Sequence, residues 1–365
     1  MRLLEIPVQP DFEAFAREVI RREAPPRRVY YSELYADPEI LDAVIARFGL
    51  DEKIDRADPH SALRRLIAAH RFLGYDMFRV KLTGFDFELH WDQAADTTAI
   101  EGQRRGGREW VDENKGPIQT WEDFERYPWP DPRRLDLRPL EWFEKNLPED
   151  MRVYELTTHV FEHLSWSLGY ESFCYAALEE PELVEAIATK IGELSLEHVR
   201  ILCQFQCVGV IWASDDMGFK TAPLLSPELL RRWVLPWHRK SAEIAHAHGK
   251  PYFLHACGNL EALMDDLIDD VKVDAKHSFE DAIVPIAESW RRYGSRVALL
   301  GGLDMDTLCR ADPATIRRKT REILDACHGP SGGYALGTGN SVANYLPLEN
   351  YLAMLDEGRR YSAGC

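Results

Sequence analysis

Long apolar runs are absent from this sequence: no stretch approaches the roughly 18 consecutive apolar residues that cross a bilayer. Residues 1–28 mix charged side chains among the apolar ones and contain no hydrophobic signal-peptide core, so we expect neither a leader nor membrane association. The first predicted strand is not followed by a G-x-G-x-x-G turn, and no P-loop is present. These absences argue against a nucleotide-binding or membrane protein.

Positive charge is also scarce, with 44 Lys and Arg against 61 Asp and Glu, a formal net charge of −17. Such a surface repels phosphate backbones, which argues against a nucleic-acid partner but not against a basic face on another protein. The seven cysteines form no regular framework, so we interpret them as free thiols of a cytoplasmic protein. The sequence leaves open whether the chain forms a homodimer.

What the sequence does contain is an alternation of short apolar runs with longer amphipathic segments, typical of βα units around a parallel sheet. Helical segments fill most of the gaps between the runs, and several begin at Ser or Asp followed by Pro and end at Gly. Eight such pairs predict an α/β fold of the (β/α)₈ barrel type. The predicted strands are 28–34, 75–82, 152–158, 208–214, 251–256, 271–277, 296–302 and 333–338.

Residues 83–148 interrupt this rhythm because they show no sustained helical period. FDFELHWD within them alternates as an exposed strand would, and PWPDP indicates a rigid extended stretch. We interpret the whole chain, 1–365, as a single barrel domain in which 83–148 is an insertion between strands 2 and 3 over one barrel end. Such an insertion either shapes the mouth of an active site or is packing decoration.

The stretch PYFLHACGNL, residues 251–260, ends the fifth predicted strand with a histidine and a cysteine two positions apart. Side chains alternate along a strand, so Phe253, His255 and Cys257 share one face. In a barrel enzyme the carboxyl ends of the strands carry the chemistry, and imidazole and thiolate are both zinc ligands. The bare pattern is equally compatible with two ordinary buried side chains.

Two further groups of polar side chains follow predicted strands. Asp215 and Asp216 come directly after 208–214. A carboxylate pair there supplies an acid or base or orients a ligand, or else one of the two caps the following turn and the other faces solvent. His159 and His163 flank Glu162 after the third strand, at a spacing that places both histidines on one helix face. We expect one of these histidines to line the barrel mouth and the other to be structural.

The order of motifs resembles the uroporphyrinogen decarboxylase superfamily, whose members are (β/α)₈ barrels. The motifs are SLGYESFCYAALEEPELVEAI, SDDMGFKTAPLLSPELLRRWVLPWHRKS, HACGNLEALMDDLIDD, ALLGGLDMDTL and GYALGTGNSVANYLPLENYLAML. HACG looks like the His-x-Cys-Gly of the corrinoid-linked methyltransferases in this superfamily, which implies that His255 and Cys257 are zinc ligands. The same resemblance places the Asp215–Asp216 pair beside the substrate cleft.

The chain departs from those methyltransferases where they carry a further cysteine ligand, because Asn340 occupies that position here. Another residue must then be the third ligand, or zinc is absent. The inward-facing candidates for the third ligand are Glu155, His277, Glu280 and Asp304.

The resemblance implies a zinc-dependent methyltransferase that demethylates a small methyl donor, with methoxylated aromatics as one candidate class, and passes the methyl group to cobalamin on a corrinoid carrier protein. Asp215, Asp216 or Glu155 would orient the substrate or manage a proton. We expect the substrate contacts to come from His159, His277, Asp304 and Asn340. Two alternatives remain: a decarboxylase acting on a tetrapyrrole, although the arginine-rich N-terminal motif of true uroporphyrinogen decarboxylases is missing, and a non-catalytic barrel that binds a small molecule.

Overall fold

The computed structural model describes residues 3–93 and 109–364 of the chain. The strands are β1 Met77–Arg79, β2 Trp91–Gln93, β3 Glu109–Val111, β4 Arg152–Tyr154, β5 Leu156–Thr157, β6 Ile211–Ser214, β7 Tyr252–His255, β8 Ala275–His277, β9 Ala298–Leu300 and β10 Tyr334–Ala335. Seven of the eight predicted barrel strands therefore contain a ladder strand, and the eighth, 28–34, contributes the isolated bridge between Tyr31 and Leu336.

Helices separate the strands, as the amphipathic segments predict. They are α1 Phe12–Phe15, α2 Pro38–Phe48, α3 Ser61–Leu73, α4 Trp121–Arg126, α5 Arg138–Asn146, α6 Val160–Leu168, α7 Tyr170–Glu179, α8 Pro181–Cys203, α9 Pro227–Trp233, α10 Leu235–Ala247, α11 Ile286–Tyr293, α12 Met305–Arg310, α13 Pro313–Cys327 and α14 Leu348–Ser362. Shorter 3₁₀ and π turns lie at Pro132–Arg134, Glu261–Leu263, Ala16–Ile20 and Asp266–Val271. Among the described helices, none has the length and apolar character that crossing a membrane requires.

The helix ends follow from local chemistry. The side chain of Asp312 accepts a hydrogen bond from the Thr315 amide at the start of α13, and Ser226 caps α9 in the same way. Gly49 and Gly74 end α2 and α3 with φ of +63° and +91°, a backbone region that glycine enters without a steric penalty.

The barrel strands are all parallel. A six-stranded sheet runs in the order β10-β9-β8-β7-β6-β5, and β4, which continues into β5, pairs with β1. On the other edge, bridges from Tyr31 to Leu336 and from Ala36 to Val342 add residues 29–36 beside β10. The order of eight parallel strand positions, with helices between them, confirms the predicted (β/α)₈ barrel type.

One junction between neighbouring strands lacks a ladder: in the described residues no backbone pairing joins β1 to residues 29–36. Side chains span it instead. The Tyr154 hydroxyl lies 2.7 Å from the carbonyl oxygen of Glu33 and 3.0 Å from that of Leu34. The guanidinium of Arg28 pairs with Asp76 at 2.6 Å. This place is called the β1 gap below.

The apolar core has two layers, as strand alternation requires. Trp212 and Phe253 belong to a cluster inside the barrel, where they meet small residues such as Ala275 and Ala335. The alternate residues of the same strands, such as Leu254, pack outward in the larger cluster between strands and helices. His255 therefore lies on the interior face with Phe253, as the sequence predicts.

The described part of 83–148 contains helices α4 and α5 and the antiparallel pair β2–β3. Only Trp91–Gln93 is a strand at the end of the stretch predicted to be extended and exposed, and most of FDFELHWD is irregular. That 83–148 is an insertion in a single domain stays a prediction.

Candidate metal centre

Three potential metal ligands converge at the carboxyl ends of β6 and β7. The Nε2 atom of His255 lies 3.4 Å from the Cys257 sulfur and 3.5 Å from Oδ1 of Asp216. All three ligand atoms lie within 4.8 Å of one another. The parallel register sets Ser214 opposite His255, so the residues that follow these two strands emerge side by side.

Backbone contacts fix the two loops that carry these residues. The Cys257 amide donates to Oδ1 of Asp216 at 2.7 Å, and the Asp215 amide donates to the carbonyl of His255 at 2.9 Å. Gly258 has φ of +82°, and a Cβ there would lie 2.1 Å from the backbone carbon of Gly218. Only glycine permits this close approach of the two loops.

The Cys257 sulfur receives two hydrogen-bond donors. The Ser278 hydroxyl lies 3.4 Å from it, and the Asn340 amide nitrogen 3.3 Å. Burial, with the nearby charge of Asp216, raises the pKa of the Cys257 thiol well above its ordinary value. A cation beside the sulfur would offset both effects and favour the thiolate.

His277 stands behind His255. The Nδ1 atoms of the two rings are 2.8 Å apart, and burial lowers the pKa of His255 to about 3 and that of His277 well below its usual range. Two neutral rings at this distance share one proton between their Nδ1 atoms. When His255 carries it, its Nε2 lone pair is free to bind a metal.

This donor set fits zinc. Zinc bonds of about 2.0–2.3 Å to nitrogen, oxygen and sulfur in a tetrahedron place neighbouring ligand atoms about 3.3–3.7 Å apart. The two distances measured from Nε2 of His255, 3.4 and 3.5 Å, lie in that range. Three protein ligands leave a fourth position for a substrate or water.

A cavity of about 260 Å³ lies at the carboxyl end of β5, and its lining residue His159 interacts electrostatically with Asp216 and His255 of the cluster. Its wall includes Glu155 and His159 and, from the irregular segment before β2, Phe85 and Phe87. The ring of His163, which also lines the cavity, stacks on Phe87 with centroids 3.9 Å apart. Both histidines thus line this cavity, where the sequence predicted only one.

Charged contacts hold the polar wall of this cavity. Oε1 of Glu155 pairs with Arg79 at 3.2 Å, and its Oε2 accepts the Leu82 amide at 2.9 Å. Burial raises the pKa of Glu155 while Arg79 opposes the shift. Nδ1 of His159 lies 2.8 Å from Oε2 of Glu162, whose pKa is raised well above its ordinary value by burial and by Asp216.

Residues 115–361 match the family described as uroporphyrinogen decarboxylase (URO-D). The chain belongs to the uroporphyrinogen decarboxylase family. Among curated relatives, the uroporphyrinogen decarboxylase of Cupriavidus necator is 36% identical over 28% of this chain, and that of Alkalilimnicola ehrlichii is 27% identical over 66% of it. The matches cover 27% and 66% of those two proteins, less than two thirds in each case.

A solved structure of a methyltransferase from Methanosarcina mazei superposes on 97% of this chain and 99% of its own, with a TM-score of 0.68 and 16% identity. This likeness shows a shared fold. The resemblance inferred from the motifs is therefore confirmed at the level of the uroporphyrinogen decarboxylase family and its barrel.

In this member of the uroporphyrinogen decarboxylase family, Asp215 does not face the cluster. It is fully buried, and its oxygens accept the amides of Phe161 and Glu162, both at 2.9 Å, at the start of α6. Nε2 of His238 lies 2.8 Å from the same carboxylate. Asp215 therefore caps the distant helix α6 rather than the turn that follows it, and its catalytic role stays a prediction.

The third donor is none of the four residues that the sequence suggested. Glu155 is held by Arg79, and His277 backs His255 without touching the sulfur. Asp304 caps α12 through the Thr307 amide at 2.9 Å and borders a separate cavity of about 140 Å³. Glu280 borders another, of about 40 Å³. Among the described residues, the group that could hold a metal joins Asp216 to His255 and Cys257 and includes none of those four, while the substrate contact predicted for Asp304 stays a prediction.

Lys276 is a further residue at the site that the sequence analysis did not identify. Its buried ammonium donates to the carbonyl oxygens of Ala256, His277 and Ser278 at 2.9, 2.7 and 2.8 Å. Burial lowers its pKa to about 8. A lysine inside the apolar run VKVDAKH was the available signal, because a buried lysine needs several acceptors.

Proposed function

We propose that the chain is a zinc-dependent, corrinoid-linked methyltransferase that demethylates a small-molecule donor, with methoxylated aromatics as the candidate class. The observation that carries this proposal is the convergence of Asp216, His255 and Cys257, with donor atoms 3.4–3.5 Å from the His255 nitrogen. A set of one thiolate, one imidazole and one carboxylate is harder than a two-thiolate set, which suits an oxygen-bearing substrate.

Asp216, His255 and Cys257 would hold the metal. Zinc in such a site supplies a Lewis acid that makes a bound heteroatom a better leaving group. The protein's own part is to keep the three donors in place: His277 fixes the His255 ring, while Ser278 and Asn340 donate hydrogen bonds to the sulfur. Asn340 would thus support the thiolate where the related methyltransferases have a third ligand.

The methyl donor would lie in the 260 Å³ cavity that His159 lines. Glu155 and His159 offer polar contacts on its wall, and Phe87 with the stacked His163 offers an apolar face that excludes water. We place the corrinoid on a separate carrier protein, as the resemblance implies.

Decarboxylation of a tetrapyrrole is the second candidate, favoured by the names of the curated relatives. The donor cluster argues against it, because a thiol next to an aspartate has no evident part in holding a substrate with many carboxylates. The carboxylate of Asp216, which lies near Glu162, would also repel such a substrate.

Metal analysis of the full chain, purified without a metal-affinity tag, tests the proposal. We expect one zinc per chain in the wild type and loss of zinc in His255→Ala, Cys257→Ala and Asp216→Asn. Cys174→Ala and His248→Ala are matched controls that should retain zinc, because both residues are exposed and lie outside the cluster. Zinc-free protein under every preparation would refute the zinc mechanism.

Methyl transfer to cob(I)alamin from a panel of methoxy-aromatics then tests the reaction class. The wild type should transfer and Cys257→Ala should not. Conversion of a porphyrinogen by the wild type, with no transfer from any methyl donor, would favour decarboxylation.

A further inference from the structure

A further cavity, of about 540 Å³, lies at the β1 gap. Barrel residues Tyr35, Phe78 and Tyr154 form one part of its wall, and Leu41, Ile45 and Leu66 of helices α2 and α3 form another. Because β1 and residues 29–36 do not pair there, the space between them extends outward to the helices.

The size and character of this space are those of a ligand site. Protein interiors are packed with few voids larger than a water molecule, whereas small-molecule sites occupy about 300–1,000 Å³ and are mainly apolar. The wall is mainly apolar, and exposed residues such as Ala62 and Lys81 stand at its rim. The cavity is therefore reachable from solvent.

Two cations are shared between this cavity and the smaller cavity that His159 lines. Arg79 and Lys81 line both the 540 Å³ cavity and the 260 Å³ cavity that contains Glu155 and His159. The Arg79 guanidinium stands 5.2 Å from the Tyr35 ring centre and uses Nη2 for Glu155, while its buried Nε has no hydrogen-bond partner. Within the described ranges, Lys81 forms no ion pair.

The acidic groups of the wall are already engaged or neutral. Asp42 pairs with Arg65 at 2.9 Å, and Asp37 accepts the Asn344 amide at 2.9 Å. Burial raises the pKa of Glu33 to about 8, so this carboxyl is mainly protonated at neutral pH. An anion bound near Arg79 and Lys81 would therefore meet two positive charges. None of the three acidic residues of the wall would present an unpaired carboxylate to it.

We propose that the cavity at the β1 gap binds the apolar body of an aromatic carboxylic acid, whose carboxylate lies at Arg79 and Lys81. This inference rests on the proposed function in one respect: such an acid would be the methyl donor, entering from the side of the barrel toward the metal centre. The aromatic side chains Tyr35, Phe78 and Tyr154 suit a flat ring, and the exposed ammonium of Lys81 together with the charge of Arg79 suits a carboxylate.

Calorimetric titration of the full chain, after treatment with a chelator, tests the site with 2-naphthoate as the probe and its neutral analogue 2-naphthylmethanol for comparison. We expect saturable binding of naphthoate to one site and at least about tenfold weaker binding of the alcohol, since one charge-assisted contact is worth about that much. Lys81→Met and Arg79→Met should weaken naphthoate about tenfold and leave the alcohol nearly unchanged.

Ala62→Trp should block both probes by filling the exposed rim of the cavity, where a large side chain does not disturb the core. Lys145→Met, which removes an exposed charge on α5 away from the cavity, is the matched control and should bind naphthoate like the wild type. Absence of saturable binding, or binding that Ala62→Trp and Lys81→Met leave unchanged, would overturn the inference.

The outcome is separable from that of the proposed function, because the titration involves neither metal nor methyl transfer. Naphthoate binding by a chain that never holds zinc would support the ligand site at the β1 gap and refute the zinc-dependent methyltransferase. A chain that contains zinc and transfers methyl groups but does not bind naphthoate would support the methyltransferase and refute the ligand site.

Discussion

Replacing Glu33 by Gln should stabilise the protein at alkaline pH and lose that effect in acid. The Glu33 carboxyl is buried, and its surroundings are the uncharged hydroxyls of Thr338, Tyr75, Tyr154 and Tyr351. Its pKa rises from the ordinary 4.5 to about 8 because burial outweighs the hydrogen bonds from Thr338. Gln keeps one donor and one acceptor without the charge.

The direction of this pH dependence of the free energy of unfolding follows from proton binding. Between pH 4.5 and about 8 the folded chain holds a proton on Glu33 that the unfolded chain has released, so wild-type stability falls as pH rises through this window. The pKa difference of about 3.5 corresponds to about 5 kcal/mol at 1.36 kcal/mol per pH unit. From pH 5 to pH 8 the advantage of Glu33→Gln should therefore grow by about 4 kcal/mol.

Urea unfolding followed by tryptophan fluorescence, at half-unit steps from pH 5 to pH 9, measures this difference. Glu182→Gln, an exposed position on α8, is the matched control, and its curve should run parallel to the wild type. Parallel curves for Glu33→Gln and the wild type would show that Glu33 is ionised in the folded chain and would refute the reasoning.

Three other perturbations test the site and its supports. Gly258→Ala should lower the free energy of unfolding by at least about 2 kcal/mol and abolish metal binding, because the new Cβ would lie 2.1 Å from the backbone of Gly218 at a φ of +82°. Normal zinc content in this variant would contradict the loop contact. Asp215→Ala should lower the free energy of unfolding by about 3 kcal/mol, since two amides at the start of α6 and a buried His238 lose their acceptor, and an unchanged urea midpoint would refute the capping role. A chelator should lower the Tm of the wild type but not that of Cys257→Ala, and equal shifts in differential scanning calorimetry would mean that the metal binds elsewhere.

Alternation of side chains predicts much of this structure, as the pairing of His255 with Cys257 on the inner face of β7 illustrates. The same rule would have distinguished Asp216 from Asp215. Trp212 points into the barrel. Asp216, four positions later, should therefore share the inward face, whereas Asp215 should not.

Other parts of the site depend on long-range geometry that no local pattern contains. Asp304 follows a strand end as Asp216 does, yet it lies by a different cavity because β9 is two strands away from β7. The contact between Asn340 and the Cys257 sulfur joins residues 83 positions apart. The missing ladder at β1 was not predictable either, because each of the two runs is individually a good strand.

The β1 gap also affects the order in which the strands can pair while the protein is synthesised. Residues 29–36 have backbone partners only in 336–342 within the described chain, and the bond between Glu33 and Thr338 spans 305 positions. The first strand therefore leaves the ribosome long before its backbone partners are synthesised, and it stays without backbone pairing until residues 336–342 emerge. The parallel strands from β4 to β10 pair with their neighbours in the order of synthesis, so pairing of residues 29–36 with 336–342 is the last backbone pairing that synthesis allows.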